Sequence, residues 1–391
     1  MESFYRPTWA EISLDALRHN LQAVRQALPE GCKLMASVKA NAYGHGLVEI
    51  AGAAERFGVD YLGVAFLDEA LKLREAGIQS PILVLGFVPA EGLETAREHD
   101  ITISLFREDI RQAAEMLAPA GKKLKAHIKL DSGMGRLGVL GYREAMAFIE
   151  RSLETPTLHV EGMFTHYAKA DEQDKTYTKQ QYERFREVAE EVKRRGWPLS
   201  IMHAANSAAG IDTPEWAGGM VRLGISMYGL YPSAEVNKQR IALQPVLSLK
   251  SRLVHVKQAP PGWGISYGTR YVTSGEEWIG TLPIGYADGF SRMLTGKANV
   301  LLRGRRVPVL GTICMDQCMI ALDDVNREDA PVMTGEEAVL IGRQGDETIS
   351  VEELAEHLDT INYEVTCMIA ERVPRVYTEG GSTVAVRNAL A

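Results

Sequence analysis

A chain of 391 residues, 46% hydrophobic and 24% charged, carries enough apolar mass for two domains with a core each and sits in the ordinary range for a globular protein. Its formal net charge of −8 argues against an extended nucleic-acid surface, and no apolar run approaches the ~20 residues that a membrane helix requires. The four cysteines, Cys32, Cys314, Cys318 and Cys367, show no paired framework, and Met1 to Leu14 holds no apolar signal core, so the expected location is the cytoplasm.

Ala10, Ile12 and Leu14 alternate with Glu11 and Ser13, which predicts a short strand. Leu17, Leu21, Val24 and Leu28 then follow helical spacing. A regular strand–helix alternation comes next, with strands expected at 33–39, 60–65, 81–85, 101–105, 124–130, 158–165, 199–204 and 220–224. Amphipathic stretches such as Leu67 to Ala76 and Tyr177 to Arg195 lie between them, the latter with Tyr182, Phe185, Ala189 and Val192 on one face. Eight βα units predict an α/β fold of the (β/α)8 TIM-type barrel class, with a doubly wound open sheet as the alternative. Lys39, Lys129, His166, His203 and Arg222 all fall at or just past strand C-termini, ends that converge on one mouth only in a barrel.

Around Ile241 the texture changes. Alternating runs separated by Gly and Pro replace helical spacing, as in Leu247 to Val256, Trp278 to Leu282, Val300 to Val309 and Ala338 to Gly342. Arg303-Gly304-Arg305 looks like a hairpin tip. Ser350, with Glu353 three residues on, looks like a capping box opening one helix. The expected division is a barrel at 1–241 and a mostly β domain at 242–391, with the N-terminal strand assignable to either.

Several runs carry chemistry-bearing residues. Val38-Lys39-Ala40-Asn41-Ala42-Tyr43-Gly44-His45-Gly46 puts a lysine where a strand gives way to a Gly-containing turn. A lysine in a partly dry pocket can lose its proton and attack a carbonyl, whereas an arbitrary loop lysine is merely solvated. Gly133-Met134-Gly135-Arg136-Leu137-Gly138 matches G-x-G-x-x-G. A dinucleotide fold needs a helix starting inside that string, and the next helical pattern begins only near Tyr142. Gly162-Met163-Phe164-Thr165-His166 ends a strand on a histidine, more often a hydrogen-bonded core residue than a catalyst. Ser207, after His203-Ala204-Ala205-Asn206, offers a hydroxyl and an N–H to a phosphate, and Gly224 allows close backbone approach or serves a simple turn. Cys314 and Cys318 form a C-x3-C pair with no ligand cluster near them, so no metal is expected. H-E-x-x-H, Walker A and G-x-S-x-G strings do not occur.

Taken together, these runs resemble the motifs of bacterial alanine racemases. Lys129 to Gly138, Ile265-Ser266-Tyr267-Gly268, Pro283 to Gly289, Cys314-Met315-Asp316-Gln317-Cys318 and Thr360-Ile361-Asn362-Tyr363-Glu364 add to the match, in family order. The resemblance runs from Thr8-Trp9-Ala10-Glu11-Ile12 to Arg372-Val373-Pro374-Arg375. It implies pyridoxal 5′-phosphate held as a Schiff base on Lys39, with Tyr43, Ser207, Gly224, Ile225 and Tyr363 on the phosphate. It places Arg222 at the pyridine nitrogen and His166 between Arg222 and a tyrosine, with His203 as support. Arg136 and the Met315 backbone would bind the substrate carboxylate, Tyr286 would stand at the entrance, and Tyr267 would be the second base. Lys129 is either a carbamylated lysine that orients Arg136 or an unmodified surface lysine. Two departures stand out: Thr312, where some members carry arginine, and Glu371 before Arg372, where small or aromatic residues are common.

The implied activity is racemisation of L- and D-alanine by Lys39 and Tyr267, supplying D-alanine for peptidoglycan, in a homodimer that shares its active sites. Other readings are a broader-specificity or serine racemase, a decarboxylase of the same architecture, and a non-catalytic pyridoxal phosphate carrier. Arginine rather than a carboxylate at the ring nitrogen argues against the decarboxylase. A second domain carrying Tyr267 argues against the carrier.

Overall fold

The computed structural model describes residues 3–119 and 121–391. Two compact units emerge: one of Leu17–Ala42 and Leu47–Gln244, the other of the residues up to Ala16, Tyr43–Gly46 and Pro245–Ala391.

The first unit is the expected barrel. After the N-terminal strand β1 (Thr8–Ser13) come β2 (Lys33–Ser37), β3 (Tyr61–Val64), β4 (Ile82–Val84), β5 (Ile101–Leu105), β6 (Leu124–Asp131), the short β7 (Val139–Leu140), β8 (Leu158–Phe164), β9 (Ile201–His203) and β10 (Met220–Leu223). The sheet runs β10-β2-β3-β4-β5-β6-β8-β9 with every rung parallel, and β7 pairs with β6 at one side. The Gly219 N–H to the Met202 carbonyl at 2.6 Å and the Arg222 N–H to the Ala205 carbonyl at 3.1 Å bring β9 and β10 together. The strands are almost continuously buried, as both faces of a parallel sheet must be. Every second residue points into the barrel, where Met35, Tyr61, Leu83, Phe164, Ile201 and Met220 pack as an apolar layer. On β6 the same alternation sends Lys125, His127 and Lys129 inward, and this row of polar side chains bears on the site. The helix Tyr142–Glu154 starts where the sequence put it, beyond the glycine string.

The second unit is a mixed, mostly antiparallel sheet. Its strands are β11 (Leu247–Arg252), β12 (His255–Ala259), β13 (Gly264–Ile265), β14 (Tyr271–Val272), β15 (Glu277–Leu282), β16 (Asn299–Leu302), β17 (Arg305–Leu310), β18 (Cys318–Ala321), β19 (Glu337–Gln344), β20 (Glu347–Ile349), β21 (Arg375–Glu379) and β22 (Ser382–Arg387). Their order is β12-β15-β18-β17-β16-β19-β11-β1-β21-β22, with β20 on β19 and β13–β14 apart. The N-terminal strand therefore belongs here, antiparallel to β11 and parallel to β21. Arg303 and Gly304, at φ of 55° and 72°, form the two-residue hairpin tip between β16 and β17. Ser350 Oγ accepts the Glu353 N–H at 3.0 Å and opens the helix Val351–Leu358.

Candidate active site

The ladder of β2 stops at Ser37, and Lys39 opens a five-residue turn, Lys39–Tyr43. Ala40, Asn41, Ala42 and Tyr43 in this turn all have φ of 53°. Left-handed backbone costs an L-residue roughly 1–2 kcal/mol, so four in a row need external support. Glu69 Oε1 accepts the Ala40 N–H at 2.6 Å, and Asn41 Oδ1 accepts the Leu47 N–H at 2.8 Å. The sequence shows the lysine but hides both the left-handed turn and Glu69, because alanines carry no turn signature.

Lys39 shares the barrel mouth with a group of cations. Lys129 is only 4% exposed, which removes the reading as a surface lysine. Its Nζ donates to the Leu85 carbonyl at 3.3 Å and lies 5.1 Å from the centre of the Phe164 ring. Burial, then the charges of Arg136, Arg222 and Lys39, push its pKa down to about 7. Arg136 rides on the loop after β6. Asp131 Oδ1 shapes that loop by accepting the N–H groups of Gly133, Met134 and Gly135 at 2.9, 2.9 and 3.1 Å. Gly138, at φ of 137°, closes the loop so tightly that a Cβ there would lie 2.4 Å from the Asp131 nitrogen. The glycine string thus serves a loop that presents an exposed arginine.

Arg222, on β10, is buried yet well satisfied. Its Nη2 donates to the Thr165 carbonyl at 2.7 Å, the Ala204 carbonyl at 3.0 Å and Nδ1 of His166 at 3.0 Å. Nη1 donates to Nδ1 of His203 at 2.9 Å. Phe164 stacks flat on His203, centroids 4.9 Å apart at 8°, with the guanidinium 5.3 Å from the same ring. Burial first, then the charge of Arg222, holds both histidines well below the ordinary imidazole range, so each is a neutral ring. Arg136, Lys129 and Lys39 act on His166 in the same direction. Lys39, Lys129, Arg136, His166 and Arg222 thus share one electrostatic environment.

Nearby, Asn206 Oδ1 accepts the Ala209 N–H at 3.0 Å and starts the short helix Ser207–Asp212. Ser207 Oγ accepts the Gly224 N–H at 2.9 Å, and Ile225 begins the next turn. These residues, from the loops after β9 and β10, form a small set of hydroxyl and backbone groups at the barrel mouth.

In the β unit, the segment Tyr43–Gly46 is tied to the C-terminal residues. Arg375 donates to the Gly44 carbonyl from Nε at 3.1 Å and Nη2 at 2.9 Å, and Tyr377 donates to the His45 carbonyl at 2.9 Å. A Cβ on Gly44 would lie 2.1 Å from the Thr366 carbonyl oxygen. This anchoring brings Tyr43 and Tyr363 together, ring centroids 6.1 Å apart.

Tyr267 opens a one-turn helix after β13 and is 74% exposed. Met315 and Tyr286 are also exposed, and their loops are joined: the Tyr286 and Ala287 N–H groups donate to the Cys314 and Met315 carbonyls at 3.0 and 3.1 Å. Behind them Arg372 donates to the buried Asp288 at 2.8 Å and to Asp316 at 2.6 Å, bracing the Met315 loop. The sequence singled out neither ion pair. Thr312, the departure near the entrance, is buried. The four cysteines have free thiols.

Two family descriptions match the chain: "Alanine racemase, N-terminal domain" over residues 12–232 and "Alanine racemase, C-terminal domain" over 246–377. The alanine racemase of Halalkalibacterium halodurans is 46% identical over 393 residues, spanning 100% of both chains, and that of Geobacillus kaustophilus is 46% identical over 391 residues, spanning 100% of this chain and 99% of the relative. The solved alanine racemase of Bacillus anthracis with bound L-Ala-P superposes with a TM-score of 0.93 at 44% identity, covering 100% of this chain and 99% of the other. That of Clostridium difficile in complex with cycloserine gives 0.90 at 41%, covering 100% of each.

Proposed function

Because the chain belongs to the alanine racemase family, we propose that it interconverts L- and D-alanine with pyridoxal 5′-phosphate and two proton carriers, Lys39 and Tyr267. It is an isomerase acting on an amino acid. The observation that carries the reading is the crowding of Lys39, Lys129, Arg136 and Arg222 at one barrel mouth. So many cations in one environment call for a ligand with more than one anionic group, such as a phosphate together with a carboxylate.

The residues fit the cofactor. Lys39 would hold it covalently. Ser207, Gly224, Ile225, Tyr43 and Tyr363 would take its phosphate, and Arg222 would face its ring nitrogen. When bound, pyridoxal phosphate draws electron density from the substrate's α-carbon and makes the α-proton removable. The chain's own groups do the rest. Arg222 has no acceptor and could only donate to the ring nitrogen, which would keep that nitrogen unprotonated and suppress competing chemistry at some loss of acidity at the α-carbon. Arg136 presents a planar fork suited to the substrate carboxylate, helped by the Met315 backbone. Lys129, with a pKa near neutrality, holds enough free amine to take up carbon dioxide as a carbamate, an anion that would steady Arg136. Inversion needs a proton carrier on each face of the α-carbon, and Lys39 and Tyr267 are those two.

Tyr267 works in this reading from a second copy of the chain, in a homodimer with shared sites. The exposed side chains of Trp263, Tyr267, Tyr286, Met293 and Met315 on the β unit support such an interface. Among the described residues no helix is long and apolar enough to cross a membrane. We place the enzyme in the cytoplasm, supplying D-alanine for peptidoglycan.

The test is a racemisation assay on alanine, serine and larger amino acids with added pyridoxal 5′-phosphate, paired with borohydride reduction and peptide mapping. Alanine should turn over fastest and the reduced cofactor should map to Lys39. Label on another lysine rejects the Lys39 assignment, and faster turnover of serine makes it a broader racemase.

A further inference from the structure

Beneath Arg222 the barrel interior holds a line of polar groups that the reaction does not touch. Between Ala126 and His127 the register of β6 against β8 shifts: Ala126 pairs with Val160 and His127 with Gly162, so Glu161 is the extra residue of a bulge. Bulges re-aim side chains, often near active sites. Glu161 Oε1 here lies 3.5 Å from Nε2 of His127 and accepts the Thr102 hydroxyl at 3.1 Å. Gly162 makes room for the imidazole, since a Cβ there would sit 2.9 Å from His127 Cε1 and 2.5 Å from the Ile201 carbonyl oxygen. His127 Nδ1 is 2.9 Å from His203 Nε2, and both rings are completely buried.

A guanidinium can only donate and a carboxylate can only accept, so the two ends of the line together set the protons between them. Arg222 makes Nδ1 of His203 an acceptor, so the neutral ring carries its proton on Nε2. That N–H donates to Nδ1 of His127, whose own proton is then on Nε2, facing the carboxylate. Burial lowers the pKa of both rings and keeps them neutral. Burial raises that of Glu161, but the nearby His127 ring, the Thr102 hydroxyl bond and the charge of Lys125 outweigh this and hold the carboxyl below its ordinary value, as an anion.

We propose, resting on the reading of Arg222 as the partner of the cofactor ring, that Glu161 is a positioning residue which acts through His127 and His203 to fix their tautomers and the set of the Arg222 guanidinium. Without the carboxylate the buried His127 N–H, which makes no hydrogen bond of its own, loses the anion that faces it at 3.5 Å. A switched His127 tautomer would face N–H to N–H with His203, and a switched His203 would turn an N–H against Arg222.

Long-range proton–nitrogen correlation spectra of 15N-histidine-labelled protein, with and without added pyridoxal 5′-phosphate, test this. The wild-type protein should show neutral His127 and His203, each protonated on Nε2. Glu161→Leu should change the tautomer of His203, two rings away, and lower kcat about tenfold while KM for alanine stays within about twofold. Glu161→Gln keeps an acceptor oxygen and should restore the pattern. A proton on Nδ1 of His203 in the wild type, or an unchanged His203 in folded Glu161→Leu, overturns the proposal. Should the leucine variant not fold, the wild-type tautomers and the glutamine variant decide it. The spectra of the unloaded protein do not depend on the activity, so failure to trap cofactor on Lys39 would strike the functional reading and leave this one standing.

Discussion

Thr312 donates its hydroxyl to the backbone carbonyl of Tyr267 at 2.9 Å, and the Ser266 hydroxyl in turn meets the carbonyl of Thr312. The pair clamps the backbone of a tyrosine whose side chain is exposed, next to Ser266 at φ of 64°. At this position the threonine holds the backbone of the proposed second base. Thr312→Val retains the shape and removes the bond, worth about 1 kcal/mol, and should lower kcat by about fivefold. Thr312→Ser should recover most of it. Steady-state kinetics on L-alanine that leave the valine variant at wild-type kcat would show the clamp to be idle.

The proposed sharing of sites between two chains makes a mixing experiment informative. Lys39→Ala and Tyr267→Ala chains should each be inactive alone. Combined by unfolding and refolding, they should regain activity in heterodimers holding one intact site. Heterodimers that form, as read by mass, yet remain inactive would mean that each site is built within a single chain.

The proposed pair of carriers on opposite faces implies face-specific exchange. Tyr267→Phe should cut racemisation by about 10²–10⁴, the usual cost of a lost general base. In deuterated water the same variant should still exchange the α-hydrogen of D-alanine through Lys39, while L-alanine exchanges far more slowly. Proton NMR at early times reads both rates. Equal rates for the two enantiomers would remove Tyr267 from the L face.

Lys129 predicts a pH-dependent modification. Its pKa of about 7 in the fold lies below the usual lysine value of 10.5, so between those limits the folded protein holds a neutral amine where the unfolded chain holds a cation. The unfolded state then binds more protons, so the penalty this buried lysine places on folding is relieved as pH rises from about 7 towards 10.5. Only the neutral amine captures carbon dioxide. With 13C-bicarbonate, a carbamate NMR signal should be strong at pH 8, fade below pH 6.5 and vanish in Lys129→Gln, on the order of the free-amine fraction. A signal that survives the substitution belongs to another amine.

Much of this protein is local and could be read from the chain. The strand at Ile101–Leu105 falls where alternation and turn residues put it, the helix at Tyr142 starts where the glycines end, and Arg303-Gly304 turns where only a left-handed pair fits. The positions of Lys39 and His166 just past a strand, and of Arg222 near the end of one, were legible because a parallel strand shows itself by its apolar run. What the sequence did not reveal depends on partners distant along the chain. His127 meets His203 across 76 residues, and Glu161 reaches His127 only because one strand pair slips by a residue. Register is a property of two strands, so neither strand's own pattern records the bulge. Burial of Lys129 and the left-handed turn after Lys39 are of the same kind. Side-chain identity sets what each group is able to do, but the low dielectric around it, and the acceptors that hold a strained backbone in place, exist only once the barrel has assembled.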